Sequence, residues 1–142
     1  MLVRMTAEQV QHFWPLVREA IIEAHRAFLS VDEAYLSRCF DMLLGGMMQC
    51  WALVVGNDLH ILVLTTPIRA IASDQPELLV FAIYALQPMT DRLWLAGYKT
   101  LQAYAKEFGC SAITGYADDL EYAMRVVQRF RGKLRAYMRL EV

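Results

Sequence analysis

"YALQPMTDRLWLAGYKT", residues 84–100, runs from an apolar, strand-like segment through a short turn into an amphipathic helix. The run from Leu78 to Leu86 that leads into it is apolar almost throughout, the pattern of a central strand buried on both faces. Beyond the turn, Leu93, Trp94, Gly97, Leu101, Tyr104, Ala105 and Phe108 make one face of a long helix, and Gly109 is a good stop for it. Thr90 and Asp91 are suitable N-caps. A strand that delivers the chain to a helix N-terminus makes a place for an anion, because the first turn leaves N–H groups unpaired and the helix dipole is positive there. Loops of that kind usually carry glycines, and none stands between Leu86 and Leu93.

The same reading extends in both directions. Thr6 to Gln9 has the form of a capping box. After it Val10, Phe13, Trp14, Val17, Ile21, Ala24 and Phe28 recur at helical spacing, which predicts a helix of about five turns that kinks at Pro15 or begins nearer Trp14. A second helix starts at the caps around Ser30 and Asp32, turns Tyr35, Leu36, Cys39, Phe40 and Leu43 inward, and stops at Gly45 and Gly46. Cys50 to Val55 and Leu59 to Thr65 then read as a hairpin around a Gly56-Asn57-Asp58 turn, and Ser73 to Pro76 as the next turn. After the long helix come a strand from Cys110 to Tyr116 and a helix from Asp118-Asp119 to Phe130, ended near Gly132. A last strand from Leu134 to Val142 alternates strictly. With no internal repeat or linker, residues 1–142 read as one α/β domain.

Composition narrows the functional classes. With 142 residues and 57% hydrophobic content the chain can build a core. The longest stretch without charge, Met42 to Asn57, holds two glycines and is shorter than the roughly 18–20 apolar residues a bilayer span needs. The N-terminus has no basic segment followed by an apolar core, so no secretory signal is expected. Cys39, Cys50 and Cys110 are an odd number without a C-x-x-C pair, which points to a reducing, cytoplasmic setting rather than a disulfide framework or a zinc site. His12, His25 and His60 are scattered, with no cysteine or carboxylate at ligand spacing, so no metal is expected. The net charge of −1 gives no global pull toward nucleic acid or anionic lipid.

The order of elements resembles the GNAT family of N-acetyltransferases, which use acetyl-CoA. The most local likenesses are "LQAYAKEFGCSAITGYADD", similar to the family's long helix, glycine stop and next strand, and "QRFRGKLRAYMRLEV", similar to its last helix, glycine and closing strand. The resemblance implies an α/β, GNAT-like three-layer domain: a mixed central sheet with helices on both faces. It also implies an acetyl-CoA site between the buried strand and the long helix, where the family carries Arg or Gln, two variable residues, Gly, one variable residue, then Gly or Ala. Gln87 fits the first position, whereas Thr90 and Arg92 stand where the small residues belong and Pro88 removes a backbone donor. The implied cofactor-binding residues are Leu86, Gln87, Thr90, Asp91 and Arg92. Arg92 can pair with a phosphate; Asp91 repels one, and Thr90 or Asp91 can equally serve only as a helix cap.

The family often places a tyrosine on the last helix as general acid. Gln128, or Val127 one residue earlier, falls at that place here, which leaves Tyr116 or Tyr122 as substitutes. The family's general base is often a carboxylate near the start of the central strand, so Glu77 is the implied base, with Asp74 in reserve. Six of the fourteen basic residues, Arg125, Arg129, Arg131, Lys133, Arg135 and Arg139, lie near the C-terminus. They form either a solvated edge or a seat for an acidic partner, a nucleic-acid phosphate or the 3′-phosphate of CoA. Nucleic acid ranks last, since no aromatic residues interleave with the cluster. The resulting expectation is a GNAT-fold protein with a degraded acetyl-CoA motif, a non-catalytic or weakly active acyltransferase-like module whose partner is a protein or a second copy of itself. Compact proteins of this type also resemble some encoded by bacteriophages, including virion components. The alternative is an active N-acetyltransferase on an unknown amine.

Overall fold

A computed structural model describes residues 1–25, 31–70, 74–117, 119–134, 140 and 142. The Thr6 capping box is present: its hydroxyl accepts from the Gln9 amide at 3.2 Å while the Gln9 side chain accepts from the Thr6 amide at 2.8 Å. The expected single helix is two, α1 (Ala7–His12) and α2 (Trp14–His25), parted at Phe13. Pro15 has no N–H to give back to the first helix, so the ladder must restart beside it. Asp32 caps α3 (Glu33–Leu44) by accepting from the Tyr35 amide at 2.8 Å, and Gly46 at φ +81° turns the chain out of it. The expected roles of Phe28, Ser30, Ser73 and Asp118 lie outside the described residues.

Five strands form one sheet in the order β1-β2-β3-β4-β5. They are β1 (Leu2–Arg4), β2 (Gln49–Val55), β3 (Asp58–Arg69), β4 (Pro76–Ala85) and β5 (Ile113–Gly115). Neighbours are antiparallel except β4 and β5, which are parallel, so the sheet is mixed. Val55 pairs with Asp58, which shortens the expected hairpin turn to Gly56-Asn57, with Gly56 at φ +64°. β3 runs four residues past the expected Thr65, through Pro67. There it pairs with β4 alone, because β2 begins opposite Thr65, so proline's missing donor costs no ladder bond on the open side.

Helices lie on both faces. On one side Val10 of α1, Val17, Ala20 and Ile21 of α2, and Leu36, Cys39 and Leu43 of α3 pack on Leu62, Leu64 and Ala82. On the other, Leu101 and Ala105 of α4 (Asp91–Glu107) pack on Leu2, Trp51, Leu53, Ile61, Val63 and Leu78. Each fully buried leucine contributes about 1.5–3 kcal/mol of transfer free energy. Phe108, expected on the inner face of α4, is exposed, its ring tilted against that of Tyr104 with centroids 4.4 Å apart. A buried polar chain ties the middle of the sheet together: Trp51 Nε1 donates to Thr65 Oγ1 at 2.9 Å, which donates to Gln49 Oε1 at 2.9 Å. Gln49 Nε2 in turn donates to the Gly46 carbonyl at 3.0 Å.

The last described helix, α5 (Leu120–Arg129), is capped by Asp119 through the Tyr122 amide at 3.1 Å. Phe130 at its end stacks on Tyr98 of α4 at 4.4 Å, which lays α5 against the first half of α4. The expected closing strand, with Arg135 and Arg139, lies largely outside the described residues, which include only Leu134, Leu140 and Val142 of it.

Candidate functional site

Two irregularities in strand pairing shape the end of β4. Leu64 pairs with Ala82 and Thr65 with Val80, so Phe81 is an extra residue opposite no partner. A bulge of this kind bends the strand and shifts its side-chain alternation. Leu78 and Val80 face α4, whereas Phe81, Ala82 and Tyr84 face α1–α3. On β3, Leu53 pairs with Ile61 and Val54 with Leu59, so His60 is likewise unopposed. Its carbonyl accepts both the Leu86 amide at 2.9 Å and the Gln87 amide at 3.3 Å, which fixes the direction in which the chain leaves β4.

β4 and β5 part at the first bulge. Their pairing runs from Leu78–Ile113 to Val80–Gly115 and ends there, while β4 continues to Ala85. Among the described residues, 81–85 of β4 therefore have no neighbour on the β5 side. The expectation that this strand is buried on both faces holds only for its first half: Leu78 and Leu79 are buried, whereas Ile83 and Ala85 are exposed because β5 has left. Gly115 and Tyr116, on the other lip of the opening, are exposed as well.

The chain then reaches α4 through Gln87, Pro88 and Met89. Thr90 is the N-cap, with its hydroxyl accepting from the Leu93 amide at 3.3 Å. The amides of Asp91 and Arg92 belong to the first helical turn and have no acceptor within the helix. Donors from Leu86 and Gln87 are already committed to His60, so an anion at this corner would meet the helix N-terminus rather than the strand end. The Asp91 carboxylate does not stand alone: Arg129 Nη2 of α5 lies 2.8 Å from its Oδ1. Two guanidiniums, Arg92 and Arg129, thus accompany one carboxylate at a positive helix end.

The two expected catalytic residues occupy different places. Tyr116 follows the last β4–β5 pair by one residue and stands at the opening. Glu77 pairs with Ile68 near the start of β4 and precedes the bulge by four residues, about 13 Å of strand. It is separated from Gln87, Thr90 and Arg92 by the length of the strand. Asp74, the reserve, is held by Arg69 at 3.1 Å at that same remote end.

Sequence reasoning missed a cluster on the α1–α3 face of the bulge. The ring of His25, at the end of α2, lies 4.2 Å from that of Phe81 and 6.1 Å from that of Tyr35. Its Nδ1 is 2.9 Å from the Ile21 carbonyl. Burial pushes the Tyr35 hydroxyl well above its ordinary range, with Cys39 adding to the effect. Burial likewise raises the Cys39 thiol. A cleft of about 280 Å³ lies elsewhere, between Arg4, Thr6, Val10, Leu43, Met48 and Cys50, away from the turn after β4. Among the described residues no three His, Cys, Asp or Glu side chains gather as metal ligands, and no helix is long and apolar enough to cross a membrane.

No family model and no curated protein matches the chain. Solved structures do. AAC(6')-Iy, in complex with the bisubstrate analogue CoA-S-monomethyl-acetylneamine, aligns over 100% of this chain and 97% of its own with a TM-score of 0.72 and 11% identity. A ribosomal-protein-alanine N-acetyltransferase from Brucella melitensis biovar Abortus 2308 aligns over 100% and 98%, with a TM-score of 0.65 and 12% identity. An aminoglycoside acetyltransferase, HMB0005, from an uncultured soil metagenomic sample aligns over 100% and 96%, with a TM-score of 0.68 and 13% identity. At these identities the likeness is one of fold. The mixed sheet, the helices on both faces and the parting of β4 from β5 give this chain the fold of the GNAT acetyltransferases.

Proposed function

We propose that this chain binds an acyl-CoA, acetyl-CoA in the first instance, along the open edge of β4 and transfers the acyl group weakly to an amine. The observation that carries this reading is the end of β4–β5 pairing at Val80–Gly115, with β4 continuing to Ala85. An unpaired strand edge offers N–H and C=O groups to a peptide-like arm, which pantetheine is. The pyrophosphate would meet the amides of Asp91 and Arg92, the Arg92 guanidinium and the positive end of α4. Leu86, Gln87 and Thr90 shape the corner, with Gln87 presenting its side chain rather than its committed amide. The CoA analogue bound to AAC(6')-Iy supports a CoA site on this fold. The thioester supplies an activated acyl carbon; Tyr116, one residue past the last β4–β5 pair, would give a proton to the departing sulfur. Glu77 reaches the acceptor only through intervening water, since it lies about 13 Å of strand from the bulge.

A specific observation favours a second reading, a binding module without turnover. Thr90 and Arg92 replace the small residues that let backbone close on a pyrophosphate, and the two strand-end amides are used internally. A virion component, or a module that docks on a protein or a second copy, would fit that case. Calorimetry with acetyl-CoA decides between them. Saturable binding that weakens at least tenfold in Arg92→Glu supports the acyl-CoA site, whereas no heat at millimolar acetyl-CoA removes it.

A further inference from the structure

His25 is a histidine with a fixed tautomer at the point where β4 and β5 part. The Ile21 carbonyl can only accept, so the 2.9 Å contact requires that Nδ1 carry the hydrogen in the neutral ring. The lone pair then resides on Nε2, to which no described residue hydrogen-bonds. Contact with Phe81 at 4.2 Å, and with Tyr35 at 6.1 Å, holds the ring over the bulge residue itself. Three features of a general base are therefore joined in one side chain: a set tautomer, a set orientation and a place beside the opening. Glu77 shares the sheet face of Phe81 but stands four residues back along the strand.

We infer that His25 is the proton acceptor for the amine, an inference that rests on the acyl-transfer reading above. His25 Nε2 takes a proton from the acceptor nitrogen as that nitrogen bonds to the thioester carbonyl carbon. The C–S bond breaks, and the thiolate sulfur takes a proton from Tyr116 or water. Tyr35 and the apolar face of Phe81 keep bulk water from the ring on two sides. The other ionisable side chains on the elements around it are Arg18, Glu19 and Glu23 on α2, Glu33, Arg38, Cys39 and Asp41 on α3, and Glu77 and Tyr84 on β4. Tyr35 and Cys39 stay protonated across the neutral range because burial raises both.

The test combines a spectrum and a rate. In the protein without acyl-CoA, nitrogen NMR of labelled histidine is expected to find the neutral His25 ring protonated on Nδ1; a neutral ring protonated on Nε2 overturns the inference. Thiol release from acetyl-CoA is followed with water or 2-phenylethylamine as acceptor. In His25→Gln it is expected to fall about 10²-fold, while calorimetry finds acetyl-CoA affinity unchanged. In His25→Ala, with folding verified by circular dichroism, added imidazole is expected to restore release, an effect that loss of packing alone does not produce. Release by His25→Gln equal to wild type overturns the inference alone, whereas release by wild type no faster than the enzyme-free rate despite bound acetyl-CoA favours the binding module and overturns the inference together with acyl transfer. Absence of acetyl-CoA binding overturns the acyl-transfer reading and this inference with it.

Discussion

Arg129 Nη2 on α5 lies 2.8 Å from Asp91 Oδ1 in the first turn of α4, joining residues that are 38 apart in the chain. Their side chains are 40% and 83% exposed, so the pair adds under about 1 kcal/mol to stability. Its effect on an anion at the helix end is larger in proportion. Without Arg129 the Asp91 charge would stand unopposed before a phosphate bound at the proposed site. Arg129→Ala is expected to leave the urea midpoint nearly unchanged and to weaken acetyl-CoA about tenfold, equivalent to about 1.4 kcal/mol. Asp91→Asn is expected to tighten it. Calorimetry at low and high salt checks both, and equal affinities in all three proteins would remove α5 from the site.

Tyr116 stands one residue past the last β4–β5 pair. Tyr116→Phe keeps the ring and removes the hydroxyl; under the proposed role of general acid, acyl transfer is expected to slow about 10- to 100-fold with acetyl-CoA affinity unchanged. A parallel loss of affinity would instead assign Tyr116 to binding.

What the sequence made legible is what short-range chemistry controls. Thr6, Asp32, Thr90 and Asp119 cap the helices expected of them, because a cap involves residues three apart. From α2 to α5 the order of strands and helices followed from periodicity, and the turn at Gln87–Arg92 was found because a strand meets a helix there. β1 was missed because three residues carry no period and are ordered only by pairing with Leu53, Ala52 and Trp51. The bulges at His60 and Phe81 are mismatches between two strands and have no signature in either one alone. For the same reason the contact of His25 with Phe81, 56 residues apart, and of Arg129 with Asp91 could not be read in advance. An alternation that breaks at Phe81-Ala82 was the one available hint, masked by a run apolar at nearly every position.

Cys50 is 1% exposed, and burial raises its thiol from an ordinary 9.0 to about 12. The folded state thus favours the neutral thiol. This contribution is complete below pH 9 and is lost as pH rises toward about 12, by at most about 1.4 kcal/mol per pH unit. Urea unfolding at several pH values above 9 is expected to show stability falling with pH, with a shallower fall in Cys50→Ala. Identical slopes would mean that the thiol ionises alike in both states.

The Trp51–Thr65–Gln49 chain is buried, with Thr65 fully inaccessible. Thr65→Val preserves shape but leaves the Trp51 N–H and the Gln49 carbonyl oxygen without their partner. A loss of about 1–3 kcal/mol in urea unfolding is expected. A change under about 0.5 kcal/mol would indicate that water or a side-chain shift satisfies both groups.

Thr90 fills a position where a small residue would let an anion approach, and its hydroxyl occupies the Leu93 amide at 3.3 Å. Thr90→Gly removes both obstacles. Glycine is itself an acceptable N-cap, so the exchange costs only a few tenths of a kcal/mol, roughly the difference between good caps. If the α4 N-terminus receives the pyrophosphate, the released amide adds a donor and acetyl-CoA should bind about 5- to 10-fold more tightly, a gain of about 1 kcal/mol from one hydrogen bond. Dephosphorylated pantetheine, which lacks the anion, should bind equally to both proteins. Tighter binding of pantetheine as well would trace the gain to space rather than charge, and unchanged acetyl-CoA affinity would place the pyrophosphate away from this turn.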